Sequence, residues 1–267
     1  MYYPPRPITQ VGSKKPTAVS ARTLTAQPPR QPNKPLLRKY EASFLRSDGT
    51  IADISQLAPA SDLFESAFAA IARGTLIATP DGPRAIEDLW PGDVITTSHN
   101  SRTTQETVLW KGTLTLVPNA PRQSHEMGRL TRLPMDSFGM GRPAPDLILG
   151  PKARVLQRGQ NCTDTLGTDG ALVPVRALID GMNVIEVTPP SPVQVYHIAL
   201  KRHAVIFANG MGIETYHPGQ QATAQTNAQM LELYLSFFPH ITRVSDFGPL
   251  AYPRIVSDGH SPGKQIA

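Results

Sequence analysis

A single cysteine, Cys162, occurs in the 267 residues. One thiol makes neither an internal disulfide nor a cysteine-rich zinc site. Long apolar runs are missing too. Nowhere do about 18 apolar residues follow one another, so no membrane-spanning helix is expected. The opening MYYPPRPITQVGSKKPTAVS has no continuous apolar stretch, so it does not read as a signal peptide. The expected setting is the cytoplasm, or export without a cleavable leader. The spaced glycines and following helix of a phosphate loop are absent around TPDG (79–82), which reads as a hairpin turn. No zinc-finger or RNA-binding signature accompanies the basic residues, so no specific nucleic-acid partner is expected.

Charge is sparse and uneven. Charged residues make up 18% of the chain, with a formal net charge of +5. Residues 1–60 hold nine Lys or Arg against three Asp or Glu, so this segment alone is +6 and the rest about −1. Such an arm suits solvent, or a weak, salt-sensitive contact with an acidic partner. Prolines are frequent, 27 in all. They oppose long helices and favour turns and short strands. Met1 to about Leu36 has too little apolar surface to offset the entropy of ordering it. LLRKYEASFLRSDGTIADISQLAPA is more mixed, and suits a short strand or a docked segment. The expected division is a flexible basic arm over 1–60, a main domain over 61–219, and a C-terminal helix and tail over 220–267.

SDLFESAFAAIA reads as a short helix, with Ser61 placed as its cap and Phe64 and Phe68 four apart on one face. From Gly74 the pattern changes to short β-prone runs separated by turns: GTLIATPDGPRAI, DVITT, TVLWKGTLTLV, DLILG, ARVLQR, ALVPV, NVIEV, VQVYHIAL and HAVIFANG. That is an all-β pattern, not a series of βαβ units. TNAQMLELYLSFF, stopped by Pro239, is the one further helix. Its Met230, Leu231, Tyr234, Leu235 and Phe238 recur at helical spacing and must cover apolar surface. PRAIEDLWPGDVIT and PVRALIDGMNVIEV share an order of elements: Arg-Ala, an aliphatic, an acid, a Gly turn and Val-Ile. Two β-turn-β units can match by chance; the alternative is an old duplication giving two related halves.

ARGTLIATPDGPRAIEDLWPGDVITT, TVLWKG, DLILGPKARVL, PVRALIDG and VYHIALKRHAVIFANGMGIETYHPG, in that order, resemble the bacterial Hint domain, the hedgehog/intein fold in its Hint-2 branch. The resemblance spans about Ala69 to Gly219. It implies an all-β disc of two pseudo-symmetric halves, in which Gly74–Ile77 lies beside Ile206–Asn209. It also implies a chemistry. A Cys attacks the preceding carbonyl and turns an amide into a thioester. A His polarises the amide and protonates its nitrogen. A third motif, often Asp-x-His, sits nearby.

Carried over residue by residue, the nucleophile position four before the Gly of GTLI holds Ala70. The His position, in an SPQHR-like motif, falls in GPKAR at Ala153. In KRHAVIF, Lys201 stands where an acid is frequent, and His203 matches the His. Ser66 is too far upstream to take the nucleophile's place, Thr75 begins a strand, and Cys162 sits in a polar loop. His197 and His203 share a strand face and, with His217, number enough for a metal. No acidic or Cys ligand motif joins them, so no metal or cofactor is expected, and structural histidines are the plainer reading. Two function classes follow. One is a non-catalytic binding or structural module on the Hint fold. The other is intein-like cleavage of a peptide bond in cis.

Overall fold

Residues 37–45, LRKYEASFL, alternate strictly: Arg38, Tyr40, Ala42 and Phe44 turn inward while their neighbours face out. In a computed structural model this alternation becomes strand β1 (Leu37–Leu45), which pairs along its whole length with β2 (Ile51–Pro59). The structure describes residues 1, 35–99, 102–159, 167–219, 226–256 and 265–266. The chain divides into two units, Met1–Lys34 and Pro35–Ala267, and every described element lies in the second. The expectation that Met1 to about Leu36 stays unpacked falls, over residues 2–34, outside the described residues, as does the polar loop at Cys162.

Residues 37–59, within the stretch that the expected division gives to the arm, form this hairpin: β1 pairs with a central strand, and Tyr40 is wholly buried. The polar residues on the outer face of each strand mask this in composition, which averages both faces.

The helix α1 (Asp62–Phe68) follows. Ser61 occupies its N-cap in extended geometry, but its side chain makes no capping bond. Then come β3 (Ile71–Ala72), β4 (Leu76–Ile77), β5 (Arg84–Ala85), β6 (Val94–His99) and the fifteen-residue β7 (Arg102–Leu116). The chain continues through β8 (Leu130–Leu133), β9 (Leu147–Leu149), β10 (Arg154–Arg158), β11 (Gly170–Pro174), β12 (Ile185–Val187), β13 (Val193–Leu200), β14 (Val205–Ala208) and β15 (Met211–Glu214). The helix α2 (Ala228–Leu235) is capped by Asn227, whose side chain accepts the Met230 N–H. All strand pairings among these elements are antiparallel.

β7 organises the sheet. Its first half pairs with β6, and its second half lies between β1 and β13. Beyond β6 the order runs β14, β15, β10, β11; beyond β13 it runs β3, β9, β8, β12. The first six residues of β7 are exposed or half-buried, and its second half, from Val108 to Leu116, is mostly buried, where Val108 and Trp110 suit a packed strand. Gly112 at its centre has a steric reason: a Cβ there would lie 2.2 Å from the Trp110 ring and 2.7 Å from Phe68. The two similar sequence units fold alike locally. Each passes through a short 3-10 turn, Ile86–Asp88 and Val175–Leu178, and then a glycine with positive φ, Gly92 and Gly181, before its next strand.

Two large clusters of buried side chains result. One is aromatic: Tyr40, Phe64, Phe68, Trp110, Tyr216, Tyr234, Phe237, Phe238 and Phe247, joined by tilted, edge-on and stacked contacts. The other is aliphatic, built between Ala70 and Ile213 with Tyr196 its one buried aromatic. The C-terminal helix therefore completes a core begun by the hairpin and α1, and is not a separate appendage.

Candidate functional site

The peptide joining Ala69 to Ala70 sits where α1 ends and β3 begins. It is held from three sides by backbone. The Ala70 N–H donates to the Tyr196 carbonyl at 3.2 Å, the Ala69 carbonyl accepts from the Lys152 N–H at 2.9 Å, and the Ala70 carbonyl accepts from the Gly150 N–H at 2.7 Å. The turn over Gly150–Ala153 is closed by the Ala153 N–H on the Gly150 carbonyl. Gly150 has no room for a side chain: a Cβ would lie 2.4 Å from the Ala69 oxygen and 3.2 Å from the Ala70 nitrogen. The turn can lie against this peptide only because that residue is glycine. Ala69 and Ala70 are wholly buried, and Ala153 is 1% exposed. Ala70 and Ala153, two of the sequence-predicted positions, thus belong to one buried cluster, and the turn that ends at Ala153 lies against the Ala69–Ala70 peptide. The Lys152 ammonium points away to Asp62 and Glu126.

Gly74–Ile77 and Ile206–Asn209, expected side by side, meet through a strand pairing. Ala208 on β14 pairs with Ile77 on β4. Asn209 anchors the junction: its N–H donates to the Leu76 carbonyl, and its side-chain oxygen accepts the Leu76 N–H, both at 2.8 Å.

His203 is engaged elsewhere. Its Nδ1 accepts the Ala251 N–H at 2.8 Å, so the ring proton lies on Nε2 and is donated to Glu214 at 3.0 Å. Arg254 Nε donates to the same carboxylate oxygen at 2.8 Å, and Arg154 lies 3.5 Å from the other. Burial alone would push the Glu214 carboxyl up. Arg254, His203 and Arg154 outweigh it and hold the group well below the usual carboxylate range. Lys201 is exposed at the mouth of the β13–β14 turn.

His197 faces the Ser66 carbonyl through Nδ1 at 3.1 Å and the Glu214 carbonyl through Nε2 at 3.3 Å. Burial lowers its pKa to about 4, so the ring is neutral near pH 7. His217 Nε2 donates to the Gly248 carbonyl at 2.9 Å, Nδ1 accepts the Gly219 N–H, and burial lowers this ring to about 4 as well. Each of the three histidines has backbone or ion-pair partners. Among the described residues no group of three or more His, Cys, Asp or Glu is placed to hold a metal. Ser66 turns its hydroxyl back to the Leu63 carbonyl, and the Thr75 hydroxyl meets the Ile148 carbonyl. Sequence reasoning missed Glu214, Arg254 and Gly150. Glu214 left a trace, as a lone acid inside the apolar run MGIETY. Arg254 left none, because its partners are about 40 residues away.

A family profile described as the Hint domain matches residues 69–220. This chain belongs to the Hint domain family. Among solved structures, the Hint domain of this chain is similar to a bacterial intein-like domain from Clostridium thermocellum. The identity there is 16% and the TM-score 0.38, over 55% of this chain and 99% of that one. It is also similar to the TvoVMA intein, at 10% identity and a TM-score of 0.39, over 54% of this chain and 96% of that one. No curated protein matches the chain. Among the described residues no helix is long and apolar enough to cross a membrane.

Proposed function

We propose that this Hint domain does not cut itself and serves as a binding or structural module, with Ala70, Ala153 and Lys201 as relics of catalytic positions and His203 kept for structure. One observation carries the reading. The Ala69–Ala70 peptide is wholly buried, and the chain before it supplies Tyr40, Phe64 and Phe68 to the aromatic core. Scission there would put a new amine and a new carboxyl group into an apolar interior, and both would have to reach water. It would also detach from the rest of the domain a hairpin and helix that the core needs. Ala70 has no nucleophilic atom, and Ala153 has no proton to give the leaving nitrogen.

A second reading, cleavage in cis, has one observation in its favour. The Lys152 N–H already sits on the Ala69 carbonyl, in the manner of a donor that stabilises negative charge on that oxygen. Intact-mass spectrometry of the purified chain, incubated with and without a small thiol, separates the two. The module reading expects the full 29.0 kDa chain in both tubes. A fragment beginning at Ala70 would overturn it.

A further inference from the structure

We propose that two copies of this chain pair through the outer edge of β2, extending the sheet across a twofold axis at Ser55. The Arg46 N–H donates to the Thr50 carbonyl and the Ala60 N–H to the Leu36 carbonyl. Both pairs lie in the β1–β2 register, which fixes even-numbered residues of β2 as the ones bonded to β1. The N–H and C=O groups of Ile51, Asp53, Ser55 and Leu57 therefore point outward, and among the described residues β2 pairs with β1 alone.

Among the described residues this edge lacks the usual protection. Proteins guard edge strands by keeping them short, by bulges, or with charge and proline along them. β12, at the opposite end of the run that β2 begins, has three residues. β11, at the far end, is bridged by Leu172 to Arg254. β2 has nine residues in unbroken register, and its one proline is the last, Pro59. Its one charge, Asp53, is drawn back toward β1 by the Ser43 hydroxyl at 2.6 Å, which leaves the edge clear. Ile51 and Leu57 on its outer face are 44% and 64% exposed.

The strand is also complementary to itself. Outward-facing residues are all odd-numbered, so a twofold antiparallel pair can centre on Ser55. Ser55 then faces Ser55 of the other copy, and Asp53 faces Leu57. No like charges are opposed, and about six backbone bonds form over residues 53–57 by the antiparallel pattern. Each Leu57 lies diagonal to Ile51 of the other copy, within reach on the same face. Centring on Asp53 would oppose two carboxylates, so charge selects against that register.

The test uses the full chain in sedimentation equilibrium across about a hundredfold range of concentration. The mass should rise toward twice 29.0 kDa as concentration increases. Ser55→Pro removes one outward N–H at an edge position that tolerates proline, and Ser55→Lys opposes two cations. Both should hold the chain at the single-copy mass with its melting temperature retained; if the proline variant fails to fold, the lysine variant decides. Ser55→Cys in a Cys162→Ser background should cross-link under mild oxidation, since directly opposed strand residues lie within disulfide reach. A single-copy mass at every concentration, a dimer untouched by Ser55→Lys, or no cross-link in a dimer that forms would each overturn the proposal.

Discussion

The Ala69–Ala70 peptide parts two cores of different make. Ala69 belongs to the aromatic cluster and Ala70 to the aliphatic one. The aliphatic core draws all its buried members from residues 70–213, inside the segment that matches the family. The aromatic core gathers the hairpin, α1, Trp110 and the chain from Tyr216 to Phe247, so more than half of its buried residues come from outside that segment. The Trp110 indole N–H donates to the Phe237 carbonyl at 2.7 Å and ties the two sources together. The difference shows that flanking chain is built into the core on one side of this peptide and not on the other.

The largest effects should come from the aromatic side. Phe68→Ala and Phe237→Ala should each destabilise the chain by about 3–5 kcal/mol, the usual cost of an emptied phenylalanine site. Leu149→Ala on the aliphatic side should cost about 2–5 kcal/mol. Urea denaturation measures all three. If Phe237→Ala costs under about 1 kcal/mol, the flanking chain is an ornament on a self-sufficient fold, and the comparison fails.

Next come two of the crowded glycines, one on each side. Gly112→Ala drives a methyl into Trp110 and Phe68, and Gly150→Ala drives one into the Ala69 carbonyl. Each should cost about 1–3 kcal/mol by overpacking. The Gly150 change should be the worse, because rigid backbone and not a ring stands in the way. Equal melting temperatures for the two variants would show that the 69–70 peptide yields as easily as a side chain.

pH should act on one core and not the other. His197 packs on Tyr216, His217 on Phe247 and His240 on Phe238, all at the aromatic side. Burial lowers each ring to about 4. Between that value and the ordinary 6.5, the unfolded chain binds protons that the folded chain refuses, so stability is lost as pH falls through this window. For the fully buried His197 the loss is roughly 3 kcal/mol. Glu214 acts lower: its depressed folded pKa gives stability that is present above the ordinary carboxylate value, near ~4.3, and is lost below it. Trp110 fluorescence should therefore change between pH 6.5 and 4 before methyl signals of Val155 or Ile206 do. Simultaneous change would mean the two cores melt as one.

Much of this was legible in the sequence. The order of turns and β-prone runs gave the all-β fold, and the motif order gave the family and the meeting of Leu76 with Asn209. The hairpin was half visible, since LRKYEASFL alternates while its overall composition resembles the arm before it. What stayed hidden depends on distance. Nothing near Arg254 signals that it closes on Glu214, and nothing near Phe64 signals that it awaits Phe237. A buried ion cluster and an aromatic core are made of contacts between remote positions, and local periodicity carries no record of them.

The smallest expected effect tests the seam itself. Ala70→Cys places one sulfur beside a carbonyl that the Lys152 N–H already holds. On its own it should give no cleavage above background over hours with thiol present. The position of Ala153 still lacks a group to protonate the departing nitrogen, a contribution of typically 10²–10⁴-fold. Adding Ala153→His supplies a ring within the same buried cluster, and slow thiol-dependent scission at residue 70 should then appear by intact mass. Rapid cleavage by the single variant would mean that the domain already holds an acid at this amide. No cleavage by the double variant would point instead to the packing of Phe64 and Phe68, which holds the severed ends in place and lets the bond re-form. Adding Phe64→Ala to the double variant then distinguishes the cases, because loosening the aromatic side should release the fragment only if the cores are coupled through this peptide.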